Sequence, residues 1–146
     1  HAAGKITLFF VAGAIYVGAK MSKISELNGH GKSMPLIFLA FFIGSLSIIG
    51  VPPMGGSWSK FFLMLGAAER GYIMVIAVFC LSTILNAYYL MEIPARAFFF
   101  KKEKEIKVKI PVLITVPTLI TCVLTILLFF FIEPFENLTS IMVNNL

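Results

Sequence analysis

The sequence predicts an all-α integral membrane protein with about four transmembrane crossings, one of them a discontinuous helix. Three observations carry this. First, 59% of the residues are hydrophobic and 13% are charged, against about 45–50% and about 25% in soluble domains; the mean hydropathy is +0.95. Second, the runs Gly71–Met91 and Pro111–Ile132 contain no charged residue. Each exceeds the roughly 18–20 residues an α-helix needs to cross about 30 Å of hydrocarbon. Third, a Gly/Pro-rich heptapeptide, Gly50–Gly56, interrupts a further apolar stretch. A β-barrel would show alternating segments of about ten residues, and no such alternation is present.

The chain of 146 residues is read as one membrane domain. Its first apolar run, Ile6–Ala19, has 14 residues, about 21 Å of helix and too short to cross. The helix is therefore expected to begin upstream, so that the chain is the C-terminal piece of a longer subunit. The expected organisation is a helix over 1–20, a broken helix over 34–68 and a helix over 71–93. A basic inside loop over 94–109, a helix over 110–132 and an outside tail over 133–146 follow.

In the first connection, Ser22–Asn28 is expected to form a short interfacial turn or helix. Ser33 is a candidate cap for a helix starting at Met34, and Pro35 suits its first turn. Gly44, Ser45 and Ser47 offer small side chains for close helix packing. No internal repeat is visible.

Charge placement sets the expected topology. Lys20, Lys23 and Lys32 fall in the first connection. Arg96, Lys101, Lys102, Lys104, Lys107 and Lys109 fall in a later one. If 34–50 and 57–68 crossed separately, these two groups would lie on opposite faces, against the positive-inside rule. If 34–68 is one interrupted crossing, nine basic residues share the inside face and Arg70 stands alone outside. The second arrangement places the C-terminus outside and lets Lys101–Lys109 lie against anionic headgroups.

The interruption is Gly50-Val51-Pro52-Pro53-Met54-Gly55-Gly56. Pro52 and Pro53 remove backbone donors. Gly50, Gly55 and Gly56 favour non-helical backbone. Irregular backbone at membrane depth requires surrounding protein or a watery cavity, and such breaks mark ion and substrate sites in transporters. Ser57 is the expected cap of the second half-helix.

Lys60 is the most informative residue. It stands ten residues before Arg70, about 15 Å along a helix and so near the midplane. A charge there costs about 2.5–3.5 kcal/mol on insertion scales and calls for a partner or a function. A lysine stem of about 6 Å falls short of the interface from that depth. The positive end of the second half-helix and the loss of water oppose the ammonium. The carbonyl end of the first half-helix, near Gly50, can accept from it. A lysine held between opposing terms is expected to take up and release a proton.

Lys5 is the second intramembrane lysine, 15 residues before Lys20, or about 22 Å from the inside face. His1 lies four residues away on the same helix face, and the two could pass a proton between them. Glu92 is expected to pair with Arg96 one turn later. His30 reads as a loop residue, and Asn86, Tyr88 and Tyr89 as packing or interface residues. Trp58 and the phenylalanines fit lipid contact and core filling.

Cys80 and Cys122 sit singly in apolar spans as packing residues, with no metal-ligand spacing. There is no phosphate loop, Ser/His/Asp set or other sign of catalytic chemistry. No cofactor or metal is expected. The net charge of +5 does not indicate nucleic acid, because the basic residues flank spans.

Two segments carry a family resemblance. The helix His1-Ala2-Ala3-Gly4-Lys5-Ile6-Thr7-Leu8-Phe9-Phe10, continuing through Ala12-Gly13-Ala14-Ile15, is one. The break Gly50–Gly56 with Ser57-Trp58-Ser59-Lys60 is the other, preceded by Gly31-Lys32-Ser33-Met34-Pro35. They resemble the antiporter-like membrane subunits shared by proton-pumping NADH:quinone oxidoreductase (respiratory complex I) and the multiple-resistance-and-pH sodium/proton antiporters. The resemblance covers roughly the first half of the chain.

It implies that Lys5 is the central lysine of a buried polar axis, that His1 assists it, and that Lys60 serves the outward proton half-channel. It also implies other membrane subunits as partners, protons and sodium ions as cargo, and a bacterial inner (plasma) membrane location. The inside half-channel of the family lies in an upstream repeat absent from this chain, which is then not expected to transport alone. The first helix is most similar to the D-type antiporter polypeptide, and no acidic pair follows Lys60. A redox-driven pump of the complex I type is the alternative, and a purely structural helical piece is the third reading.

Overall fold

The computed structural model describes residues 1–101 and 108–144. Among the described residues it is all-helical, with six α-helices: α1 (Ala2–Ala19), α2 (Pro35–Ile49), α3 (Gly56–Glu69), α4 (Ile73–Phe99), α5 (Val112–Phe130) and α6 (Glu133–Asn144). Lys102, Lys104 and Lys107 of the basic loop lie outside the described residues. Helices α1, α4 and α5 are long and apolar enough to span a membrane, whereas α2 and α3 have 15 and 14 residues.

Helix α2 sits at the centre, packing against α1, α4, α5 and α3. Helix α1 buries Gly4, Thr7, Val11, Ala14, Ile15 and Ala19, the three-and-four spacing of one helix stripe. The crossing of α1 and α2 is close because a side chain at Gly4 would meet Ser47, and one at Gly44 would meet Leu8. Two of the small residues expected to pack helices, Gly44 and Ser47, therefore do so. Phe38 is completely buried in the core and meets Phe98 of α4 edge to face. Outward faces stay apolar, with Met74, Leu113 and Phe99 among the most exposed side chains, as a lipid-facing or subunit-facing surface requires.

Helix ends depart from expectation in particular places. Ser33 does not cap α2. It closes a 3-10 turn over Gly31–Ser33 by donating its N–H to the His30 carbonyl, and Pro35 opens the helix. The turn expected over Ser22–Asn28 is a 3-10 turn at Ile24–Leu27. Glu26 accepts there from the N–H groups of Ser22 and Lys23 at 2.9 and 3.1 Å.

The helix expected over 71–93 runs instead over Ile73–Phe99, with Pro94 inside it. By local rules a proline at 94 ends the helix just before it. The Glu92–Arg96 pair, at 2.7 Å, staples the turn across Pro94, and the Arg96 carbonyl receives the Gly29 N–H from the first connection. One local ion pair and one tertiary bond thus bracket a turn that proline alone would open. The residues expected as a tail form α6, whose Phe135, Leu138, Ile141 and Met142 share one face.

His30 is a buried loop residue, while Tyr89 donates to Asn86 at 2.6 Å. Cys80 is exposed, Cys122 is buried, and both are free thiols.

Candidate functional site

The site begins with carbonyl groups left over by two prolines. In a continuing helix the Ile48 and Ile49 carbonyls would accept from the N–H groups of residues 52 and 53. Those residues are Pro52 and Pro53, which have no N–H. Helix α2 therefore stops. Gly50 takes the left-handed conformation at φ 86° and ψ 37°, and the N–H groups of Gly50 and Val51 both turn back onto the Leu46 carbonyl at 2.9 and 3.1 Å. This is the glycine-terminated end that many helices use.

Residues 50–55 form the non-helical connection and Gly56 is the first residue of α3. Three bonds fix the connection and the start of α3. Met54 is buried, and its N–H donates to the Val51 carbonyl at 3.2 Å. The Gly55 N–H donates to the Thr125 carbonyl of α5 at 3.1 Å. The Trp58 indole N–H donates to the Phe129 carbonyl at 3.0 Å, one of the unpaired acceptors at the end of α5. Trp58 also stacks on Phe62 with ring centroids 5.9 Å apart.

Ser57 does not cap α3. It lies in the first turn and its hydroxyl donates backwards to the Met54 carbonyl at 2.8 Å. The cap position is Gly55, without a side-chain bond. Gly56 is seated directly on the Ser47 backbone, with no space for a Cβ.

This geometry delivers Lys60 to the end of α2. Its ammonium donates to the Ile49 carbonyl at 2.7 Å and to the Thr83 hydroxyl at 3.0 Å. The Thr83 hydroxyl itself donates to the Phe79 carbonyl of its own helix at 2.9 Å. The carbonyl end that the sequence points to near Gly50 is thus the first acceptor. Thr83 is the residue that sequence reasoning missed. Its one signal was polarity inside the apolar span Gly71–Met91, where polar side chains tend to face the bundle.

The stem of Lys60 crosses directly over Gly50, where an added Cβ would lie 2.8 Å from the lysine Cδ. A cleft of about 450 Å³ adjoins the amine, with Ser57, Trp58, Phe61, Met64 and Phe129 among its walls. Lys60 is half-buried beside it.

Lys5 and His1 lie elsewhere. Both are on the exposed face of α1, opposite the stripe that packs on α2 and α5. The Lys5 N–H makes the first helical bond to the His1 carbonyl at 3.1 Å. Among the described residues no side chain bonds the Lys5 amine or the His1 ring.

The fold is a helical bundle of membrane type in which a lysine amine is held over irregular backbone, a setting that calls for surrounding protein or a cavity. Comparison with known proteins sharpens this. The profile of the family described as NADH:quinone oxidoreductase/Mrp antiporter, TM, matches residues 1–86, the stretch holding Lys5, the break, Lys60 and Thr83. The chain belongs to that family.

The N-type polypeptide of NADH-quinone oxidoreductase from Desulforudis audaxviator is 38% identical over 98 residues, covering 67% of this chain and 20% of the relative. The D-type polypeptide of the Na(+)/H(+) antiporter from Alkalihalophilus pseudofirmus is 31% identical over 137 residues, covering 92% of this chain and 28% of the relative. A chain of respiratory complex I from Thermus thermophilus with bound aureothin has the same fold, with a TM-score of 0.71 at 23% identity. That match covers 87% of this chain and 30% of the other. The chain therefore spans less than a third of the length of each of these proteins.

Proposed function

We propose that the chain belongs to a proton-translocating, antiporter-like membrane subunit in which Lys60 exchanges a proton at the break between α2 and α3. The observation that carries this is the Lys60 amine, 2.7 Å from the Ile49 carbonyl and 3.0 Å from the Thr83 hydroxyl, beside a cleft. An ammonium at membrane depth is tolerated when such oxygens replace water. Here the oxygens come from a helix end that the prolines leave unpaired and from a hydroxyl on α4.

Helices α2 and α3 are each too short to cross, having 15 and 14 residues. Together with the placement of the basic residues, this supports one interrupted crossing with basic connections inside and the C-terminus outside. In this reading Lys5 is the central relay and His1 assists it. Other membrane subunits cover the exposed faces, and the complex resides in a bacterial inner membrane.

Two branches follow from the relatives. A sodium/proton antiporter is supported by the D-type match, which extends over 92% of the chain. A respiratory proton pump is supported by the N-type match, with the higher identity of 38%.

The test uses everted membrane vesicles carrying the chain in its native complex, with a pH-sensitive dye. Sodium chloride collapsing an imposed gradient would assign the antiporter branch. A gradient built by NADH and indifferent to sodium would assign the respiratory branch. In either case Lys60→Ala should lower proton movement at least about a hundredfold, the scale of a lost proton-transfer group. Proton movement unchanged by Lys60→Ala at equal complex content would overturn the proposal.

A further inference from the structure

We infer that Thr83 is the positioning residue of the Lys60 site, acting as a one-way acceptor that aims the exchangeable proton of the amine at the cleft. This rests on the proposed role of Lys60 and names the group that sets its geometry.

Donors and acceptors around the amine can be counted. A threonine hydroxyl has one proton and two lone pairs. The proton of Thr83 is committed to the Phe79 carbonyl at 2.9 Å. Toward Lys60 the oxygen can then only accept, and it does so at 3.0 Å. The Ile49 carbonyl, which has no proton, is likewise an acceptor only, at 2.7 Å.

A lysine ammonium has three N–H groups. Two are held by these oxygens, one from the end of α2 and one from the middle of α4. The third is left for the cleft. The neutral amine has two N–H groups and one lone pair, so it keeps both bonds and presents the lone pair in the third direction. A proton then passes from a hydronium ion in the cleft to the nitrogen lone pair, leaving water, and the reverse step returns it. Neither step requires the side chain to swing. Were Thr83 able to donate as well, it could bond the lone pair of the neutral amine and block that direction.

No charged group competes for this assignment on the packed helices. Helix α2 has no titratable residue, and α5 carries only Cys122, which is buried. On α4 the titratable groups are Cys80, Tyr88, Tyr89, Glu92 and Arg96. Glu92 is nine residues beyond Thr83, about 13 Å along the helix. On α3, Glu69 lies nine residues beyond Lys60. The amine at this site is therefore tuned by neutral oxygens rather than by an ion pair.

The test compares Thr83→Val, Thr83→Ser and Lys60→Ala in the native complex, measuring complex content, proton translocation rate and its dependence on pH. Thr83→Val keeps the shape and removes the acceptor. The expected result is about a tenfold slower rate, the scale of one lost hydrogen bond to a charged group, and a shifted pH profile at normal complex content. Thr83→Ser should restore most of the rate and the original profile.

Wild-type behaviour of Thr83→Val while Lys60→Ala is inactive would overturn the positioning role and leave that of Lys60 standing. Slowing in Thr83→Val with an unchanged pH profile, or equal slowing in Val and Ser, would also overturn it by making the contribution one of packing. An active Lys60→Ala would overturn both claims together.

Discussion

Gly56→Ala is expected to prevent the complex from assembling. Position 56 is where α3 lands on α2, and a methyl group there would run into the Ser47 carbonyl. That neighbour is backbone of the central helix and cannot rotate away as a side chain can. Overpacking a well-fitted interior typically costs about 1–3 kcal/mol, and a clash against immovable backbone belongs at or above the upper end of that range.

The same landing places the Lys60 amine on the Ile49 carbonyl, so the site is lost with the packing. Complex content on a native gel and the thermal inactivation of solubilised complex would measure this. Gly66→Ala is the matched control. It lies in the same helix, an added Cβ there meets nothing within 4 Å, and alanine favours helix over glycine by up to about 1 kcal/mol. Normal assembly of both variants would show that the seat of α3 on α2 is not as close as described.

Gly50→Val is the second large effect, and it should separate function from assembly. Gly50 sits at φ 86°, a conformation that costs a β-branched residue roughly 1–3 kcal/mol. A side chain there also occupies the path of the Lys60 stem, 2.8 Å from Cδ. The lysine stem is flexible and can move aside, which leaves the helices packed but withdraws the amine from its acceptors. The expected outcome is partial loss of complex together with a fall in proton translocation of at least about tenfold per assembled complex. Normal turnover per complex would mean that the position of the Lys60 stem over Gly50 is not needed for transport.

Much of this site was legible in the sequence because it is written in residues with strong backbone consequences. Pro52 and Pro53 delete the donors of two helical bonds, and Gly50 supplies the residue best suited to a left-handed helix end. A lysine inside an apolar stretch, ten positions from the next charged connection, stands out as a residue that needs a partner. These are local rules, and they pointed to both the break and its carbonyl acceptor.

What local rules could not reveal was partnership between distant elements. Thr83 is 23 residues beyond Lys60, and nothing in the intervening apolar run sets the rotation that brings them together. Likewise Ser33 and Ser57 have the right chemistry to cap helices. The actual starts were decided elsewhere, by the 3-10 turn at Gly31–Ser33 and by the bond from Gly55 to Thr125. Pro94 reads locally as a helix stop, yet the helix continues past it and the Arg96 carbonyl accepts the Gly29 N–H from the distant first connection. Trp58 reads as one more aromatic for lipid contact or core filling, while its indole N–H joins α3 to the end of α5.

Under the proposed role, Lys60 must give up a proton, and a positive charge alone does not suffice. Lys60→Arg separates the two. Arginine keeps the charge and the donors for the Ile49 carbonyl and Thr83 hydroxyl, but its guanidinium does not release a proton in proteins. The measurement is the proton translocation rate of Lys60→Arg in everted vesicles at equal complex content. The expected rate is as low as that of Lys60→Ala. A rate close to that of the unchanged chain would contradict proton exchange at Lys60, because a fixed charge at the helix break would then be enough.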